Sequence, residues 1–431
     1  MKMQASNVKS LKNDNRALIL NEIRKCPCSR AQLADKTSLT RSAVTMIVQE
    51  LMAEGQLKET SSLQSDRGRR QILLDIVEDH KLALGLALHR REISTVLTDL
   101  RGKPVDKNSS PTSAFADREA ALAWSFETMK SMIHKHKLTQ DKLVGIGISS
   151  PGPLDRQSGR ILEPIDFPLF QNFDITEEVA SWQLMPTEEA AEDRMNASGE
   201  SLISAKRGSD ASTASSLRES TTSITKSALA INLDNNAVLM AMREFYNGTG
   251  PIYQHKHILF VTISRGIGSC LISDGQIYRG LGGFAGELGH TSIDAAGRPC
   301  SCGNYGCIEK YATLDALKSF FGFESYDVVV DLAYNGISRS LAIIEQIAEW
   351  LTTALVNAVN LFDLDAIVLY GELNYRPQLL TDMIEKKISQ RSLISRAHEI
   401  KVFASSFDDK TAADASTAGI IDAYFKQKLA R

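Results

Sequence analysis

The sequence predicts an α/β body preceded by a small helical module that carries a β-ribbon. Three observations lead there. From Lys81 onward strand-like and helix-like runs alternate, with glycines at the strand ends, the pattern of layered α/β domains. Between Asn15 and Ile76 three short amphipathic runs are followed by two extended ones. Charge also changes sign: up to Ile72, 13 Lys and Arg stand against 7 Asp and Glu, in a chain of formal net charge -3. That figure excludes a uniformly basic coat but leaves room for a basic module on an acidic body. At 431 residues and 43% hydrophobic content, the chain can hold two or three domains with ordinary cores.

The boundaries read as residues 1–76 and 77–431. In the first part Leu18, Ile19 and Ile23 share one face of a helix that stops before Pro27. Ser29 caps a second helix, RAQLADK, whose Ala31, Leu33 and Ala34 face a core. Thr40 caps a third, RSAVTMIVQELMAEG, with Val44, Ile47, Val48 and Leu51 at the inward spacing and Gly55 as its stop. QLKETSSLQSDRGRRQILLDI follows as two extended runs around a basic loop. Three helices and a ribbon make a winged helix-turn-helix, whose third helix lies in the DNA major groove. Its candidate DNA contacts are Thr40, Arg41, Ser42 and Thr45, with Arg67, Arg69 and Arg70 in the wing reaching phosphate or the minor groove. The same pattern also suits a three-helix docking module with a solvated basic face. Cys26 and Cys28 flank a proline with no partner nearby and read as unliganded.

In the body LALGLAL and ISTVLTDL are strands, REAALAWSFETMKSMIHKH a helix, and LVGIGISS a buried strand opening into PGPLD. ILFVTISRGIGSCLISDGQIYRG gives two strands around glycines. A helix runs from Leu341 to Leu361, AIVLY is a strand, and TAADASTAGIIDAYF a final helix. Residues 187–227 are rich in Ser, Thr, Ala and charge and have no aromatic side chain, so they read as a mobile polar insertion. No repeat of solenoid length is visible. The N-terminus has no apolar region before a cleavage site and no stretch is long enough to span a bilayer, so the chain reads as cytoplasmic with no membrane insertion.

Three of the six cysteines fall at Cys300, Cys302 and Cys307, with His290 upstream. In a reducing compartment such thiols point to metal rather than to disulfides. Cys-x-Cys-x4-Cys with a histidine supplies the four N/S ligands of a closed tetrahedral zinc site. With no ligand position left for water, one structural zinc per chain would act as a clamp and not as a hydrolytic catalyst. Fixing that loop also fixes Glu287 and Glu309 on either side of it, although spacing alone does not require them to converge.

PGPLD, LDNNAVLMAMRE, GIGSCLISDGQIYRG, GGFAGELGH and CSCGNYGCIE, in that order, resemble the ROK family of sugar kinases and sugar-responsive repressors. The resemblance spans Lys81 to the C-terminus apart from the insertion, and the preceding helix-turn-helix resembles that of the repressor branch. It implies an actin-like (ribonuclease H-like) ROK sugar-kinase fold and a structural zinc on the four ligands named above. It also implies sugar contacts at Asp234, Glu287, His290 and Glu309. Asp234 matches the kinases' general base, so as a catalytic residue it is at most vestigial here: the family's usual preceding Asn is Leu233, and the nucleotide elements depart further. Ala87 stands in place of an acidic residue, and His89, Arg90 and Arg91 occupy the Gly-Gly-Thr positions. The second loop reads Ser264-Arg265-Gly266-Ile267-Gly268, and the late Gly-Gly turn Gly371-Glu372. Phosphoryl transfer needs close backbone approach to phosphate, which bulky side chains obstruct.

The expectation is a homodimeric or homotetrameric DNA-binding regulator, a repressor of sugar uptake or catabolic genes. It binds operator DNA and answers to a sugar, a sugar phosphate or a phosphotransferase-system protein, with Ile76–Lys81 as the hinge between reader and body. The rival expectations are an ATP-dependent sugar kinase with an appended DNA-binding domain and a protein-binding scaffold.

Overall fold

The structure, a computed structural model, describes residues 8–63, 71–185, 229–247, 251–407 and 409–426. Arg67, Arg69 and Arg70 of the expected wing, and the insertion expected at 187–227, lie outside the described residues.

The N-terminal module runs α1 (Val8–Lys25), β1 (Cys28–Ser29), α2 (Arg30–Thr37), α3 (Arg41–Ala53), β2 (Leu57–Leu63) and β3 (Gln71–Ile76). Ser29 caps α2 in a reciprocal capping box with Gln32, and Thr40 caps α3 through the Ala43 amide. Leu33, Val44, Ile47, Val48 and Leu51 are buried. The three strands form one antiparallel sheet in the order β1-β3-β2.

The body contains two sheets of the same plan. In the first lobe β4 (Leu82–Leu88), β5 (Glu92–Thr98) and β6 (Pro104–Pro111) form an antiparallel meander. After α4 (Arg118–Lys135), β7 (Leu143–Ser150) lies parallel to β4. The short hairpin β8 (Leu154–Asp155) and β9 (Arg160–Ile161) and helix α5 (Ile175–Ser181) come next, and then β10 (Ile231–Asn235) pairs parallel to β7. The order is β10-β7-β4-β5-β6. Helix α6 (Asn236–Asn247) leads into the second lobe, where β11 (His257–Ile263), β12 (Ile267–Ser273) and β13 (Gln276–Tyr278) form another meander. The sequence predicts two strands here; the third is a three-residue edge strand. Helices α7 (Leu314–Phe321), α8 (Tyr326–Tyr334) and α9 (Ser338–Phe362) precede β14 (Ala366–Gly371). Helix α10 (Gln378–Arg391) separates β14 from β15 (Lys401–Ala404), and both strands run parallel to β11. The order β13-β12-β11-β14-β15 repeats that of the first sheet. Two copies of one strand order, facing across a cleft, are the actin-like architecture.

The chain returns to the first lobe through a 3-10 segment, Asp409–Thr417, and α11 (Ala418–Phe425). There a single core joins reader to body: Ile19, Leu20, Ile23, Val44, Leu57 and Ile76 pack with Ala83, Leu100, Val144, Ile420, Ile421 and Phe425. Ile76–Lys81 is accordingly not a free linker. Val77 donates to the Gln56 carbonyl at 2.9 Å, the Glu78 carbonyl accepts from Leu100 at 2.8 Å, and Lys58 pairs with Glu78. The expected hinge is a packed turn, because burying the last ribbon residue required the body's own apolar surface.

Candidate functional site

Two structures stand together at the mouth of the interlobe cleft. The first is the loop from Glu287 to Glu309. Its chain turns twice, through a Pro299–Tyr305 bridge and a Ser292–Cys307 bridge. Gly306 has φ +70°, and a Cβ there would lie 1.8 Å from the Asp294 carbonyl oxygen, so only glycine fits. The folding brings His290, Cys300, Cys302 and Cys307 together, with ligand atoms all within 4.8 Å of one another. Cys300 Sγ is 3.7 Å from His290 Nδ1, and Cys302 Sγ is 3.7 Å from Cys307 Sγ. A tetrahedron with zinc–sulfur bonds of about 2.3 Å has an edge of about 3.8 Å, so two of the separations already match it and the widest, up to 4.8 Å, would have to close by about 1 Å. Cys300 and Cys307 are buried while Cys302 is exposed. In the reader, Cys26 and Cys28 sulfurs lie 3.9 Å apart, and they belong to no larger ligand cluster among the described residues.

The second structure is a cleft built around Asp234, which is 1% exposed at the end of β10. Its lining includes Arg156 from the β8–β9 hairpin, Asn235, Ser269 and Glu287. Arg279 crosses from the second lobe to grip the carboxylate with both terminal nitrogens, Nη1 to Oδ1 at 2.9 Å and Nη2 to Oδ2 at 2.7 Å. Arg156 Nε lies 3.3 Å from Oδ2. The cleft encloses only about 50 Å³, room for a few waters against the 300–1,000 Å³ usual for ligand pockets. Gly286 lets the loop press against β12: its φ is +109°, and a Cβ would meet the Ser269 carbonyl oxygen at 2.2 Å. Burial pushes Glu287 above the usual carboxylate range, and the Glu309 charge adds to the shift while His290 opposes it.

The four residues expected to contact sugar are thus placed unequally. Asp234 and Glu287 line the cleft. His290 turns Nδ1 toward the sulfurs, and Glu309 Oε2 accepts from the Ile267 amide at 3.2 Å, bracing the Ser264–Gly268 loop. Sequence reasoning missed Arg156 and Arg279. Neither lies in a recognisable spacing, and only the fold brings residues 156, 234 and 279 together.

On the reader, Arg41, Ser42 and Thr45 are exposed on α3 beside its Thr40 cap. Met46, 54% exposed, shares that surface and was not singled out in the sequence. Lys12 and Arg16 of α1 are paired to Glu50 of α3, so part of the module's basic surplus is neutralised internally.

A family model described as "ROK family" matches residues 217–419. The chain carries a ROK family domain. Along nearly its full length it is similar to the xylose repressor of Bacillus subtilis (strain 168), with 27% identity over 96% of each chain. It is similar as well to the DNA-binding transcriptional dual regulator NagC of Escherichia coli (strain K12), with 25% identity over 95% of this chain and 93% of that one. Among solved structures, a ROK family transcriptional regulator described as a homolog of the E. coli MLC protein superposes with a TM-score of 0.68. It has 22% identity and covers 97% of this chain and 98% of its own. A ROK hexokinase from Thermus thermophilus reaches 0.56 at 21% identity, covering 80% of this chain and 99% of its own. The kinase-like likeness leaves out a fifth of the chain; the regulator's does not.

Between the β4–β5 turn and the end of β14 the lobes are tied together. Arg91, in the β4–β5 turn, donates to Glu372 Oε1 at 3.0 Å across the cleft. Arg90 Nε donates to the Ile165 carbonyl at 2.8 Å, and burial lowers its pKa. His89 is held neutral, its pKa lowered by burial to about 4.

Among the described residues no helix is long and apolar enough to cross a membrane.

Proposed function

We propose that this chain is a cytoplasmic, sugar-responsive transcriptional repressor in which occupation of the Asp234 cleft controls the DNA affinity of the N-terminal reader. The observation that carries this is helix α6. It starts two residues after Asp234, and Ala237 through Tyr246 are all buried. At its far end the Tyr246 ring lies 3.7 Å beneath the guanidinium of Arg24, which is on α1 of the reader. Arg24 is 1% exposed and pairs with Asp422 of α11 at 3.2 Å. Arg101 donates to the Arg24 carbonyl at 3.0 Å and pairs with Asp75 at the end of the ribbon. A buried helix of about 18 Å therefore connects the cleft floor to α1 of the reader, and Arg101 joins α1 to the end of the ribbon. A ligand with different affinities for two arrangements of that rod would shift the reader between them. The exposed Thr40, Arg41, Ser42 and Thr45 supply its major-groove contacts, with Arg67, Arg69 and Arg70 in the wing.

Catalysis of sugar phosphorylation does not belong to this reading. A general base must be able to accept the substrate's proton, and both oxygens of Asp234 already accept from guanidinium groups. Arg91, at one of the positions that the ROK resemblance assigns to the phosphate-binding Gly-Gly-Thr, is instead paired with Glu372. In the same reading His290, Cys300, Cys302 and Cys307 hold one structural zinc, which fixes the loop carrying Glu287, and two or four copies assemble on palindromic DNA.

The test is a mobility shift of the chain's own promoter region over a salt series, with and without sugars, alongside a coupled ATP assay. The expected result is a steep fall of affinity with salt, release by an effector, and no nucleotide turnover. Arg24→Met keeps the packing volume and leaves Asp422 paired with Lys426 at 2.8 Å. It should retain operator binding and lose most of the effector response. Sugar-dependent ATP consumption would replace this reading with the kinase one.

A further inference from the structure

The hydrogen bonds on the cleft floor are unevenly shared. Asp234 has no oxygen to spare: Oδ1 accepts from Arg279 Nη1 and from the Asn235 amide, both at 2.9 Å. Oδ2 accepts from Arg279 Nη2 at 2.7 Å and lies 3.3 Å from Arg156 Nε. Arg156 is the opposite case. Its contacts, to Asp234 and to the Leu233 carbonyl at 3.3 Å, all fall on Nε. Its two terminal nitrogens have no protein partner among the described residues, and the side chain, 31% exposed, lines the cleft. The cleft thus holds two guanidiniums in contact with the Asp234 carboxylate, with a second carboxylate, Glu287, on its lining.

A neutral sugar is recognised mainly by carboxylates that accept from its hydroxyls. Here the Asp234 carboxylate is saturated, Leu233 turns away into the first-lobe core, and of the carboxylates on the lining only Glu287 is left to accept from a hydroxyl. What the cleft does present is the planar fork of an arginine, whose paired N–H groups match the two oxygens of a carboxylate or phosphate.

Resting on the effector reading above, we infer that the Asp234 cleft takes an anionic carbohydrate, a sugar acid or a sugar phosphate, whose charged group is received by Nη1 and Nη2 of Arg156. Because the closed cleft is too small for a sugar ring, entry moves Arg156 and Arg279 off their present positions. Arg279 then exchanges part of its pairing with Asp234 for the ligand, which disturbs the start of α6.

The experiment is titration calorimetry on the full chain with five probes: glucose, glucuronate, glucose 6-phosphate, xylose and xylonate. At least one anion should bind about tenfold or more tightly than its neutral parent, and in Arg156→Gln that ratio should fall to near one. Binding of the acids without the phosphate, or the reverse, identifies which anionic group the fork accepts, and either result supports the inference. A neutral sugar that binds as tightly as its anionic partner overturns it, as does full anion preference in Arg156→Gln or no binding by any of the five. The melting temperature of unliganded Arg156→Gln, expected to match wild type, guards against misfolding. The operator mobility shift is run in parallel: failure of the wild-type chain to bind DNA strikes the repressor reading and leaves the calorimetric result for the cleft standing.

Discussion

The metal loop and the Asp234 cleft adjoin one another, yet they are assembled in opposite ways. The four ligand positions of the loop come from one stretch, residues 290 to 307, folded on itself by glycine turns and two short bridges. The cleft draws Arg156 from a hairpin of the first lobe, Asp234 from the end of β10 and Arg279 from the second lobe. A contiguous site depends on local turn geometry and a cation. A dispersed one depends on the position of two lobes, and for that reason is the better place to sense a ligand: whatever moves the lobes remakes its ion pairs.

If that distinction holds, damage to the loop should spread to the cleft while damage to the cleft should leave the loop intact. Cys300→Ala is the severe case. It should abolish stoichiometric zinc in metal analysis and destabilise the chain by about 3 kcal/mol or more. Because the loop positions Glu287, it should also blunt any effector response. Zinc at wild-type content in Cys300→Ala would separate the cysteines from the metal.

Asp234→Asn tests the other half. Removing the charge leaves Arg279 and Arg156, 25% and 31% exposed, without their shared counter-ion, a change that costs on the order of 2 kcal/mol. Zinc content should stay at one per chain. Loss of zinc in this variant would mean that the two sites are one cooperative unit, contrary to their separate construction.

These differences also explain what the sequence disclosed. The helix caps Ser29 and Thr40 and the clustering of His290, Cys300, Cys302 and Cys307 were legible because each is decided within one short stretch of chain. The alternation of strands and helices pointed to the α/β class, and the motif order to the actin-like fold. The doubled strand order did not show, since which strands pair is decided between segments far apart in the chain. Arg24 looked like one of many basic residues of the reader. It is buried between Tyr246 and Phe425 only because residues 246 and 425 return to it. The packing around the expected hinge, Ile76–Lys81, was hidden for the same reason: the core that closes over Ile76 comes from the far C-terminus.

His89 offers a milder test, at the floor of the first lobe and remote in sequence from both sites. Its folded-state pKa of about 4 lies below the ordinary value of 6.5. The unfolded chain therefore binds this proton more readily, and the folded state loses stability as pH falls from 6.5 toward 4. The loss is about 1 kcal/mol at pH 5.5 and negligible at pH 7. His89→Gln should flatten the stability profile over that window in denaturant titrations; an unchanged slope would mean that the imidazole is solvated.

The smallest effect is expected at Arg91, and it bears most directly on how the lobes are held. Its ion pair with Glu372 links the β4–β5 turn of one lobe to the end of β14 in the other, but the Arg91 side chain is 61% exposed. An exposed pair of this kind contributes less than about 1 kcal/mol, so Arg91→Ala should hardly change the melting temperature. Its geometry nevertheless ties one lobe to the other. Without it, amide hydrogen exchange should quicken in the 89–92 and 371–374 turns while α6 and the metal loop keep their protection, since local opening requires only that local contacts break. If the Asp234 cleft senses lobe position, the same substitution should lower the effector concentration needed to release DNA, because part of the work of opening has already been done. An unchanged dose response with faster exchange would place the sensing motion within the Arg156–Asp234–Arg279 cluster itself and not in the lobes.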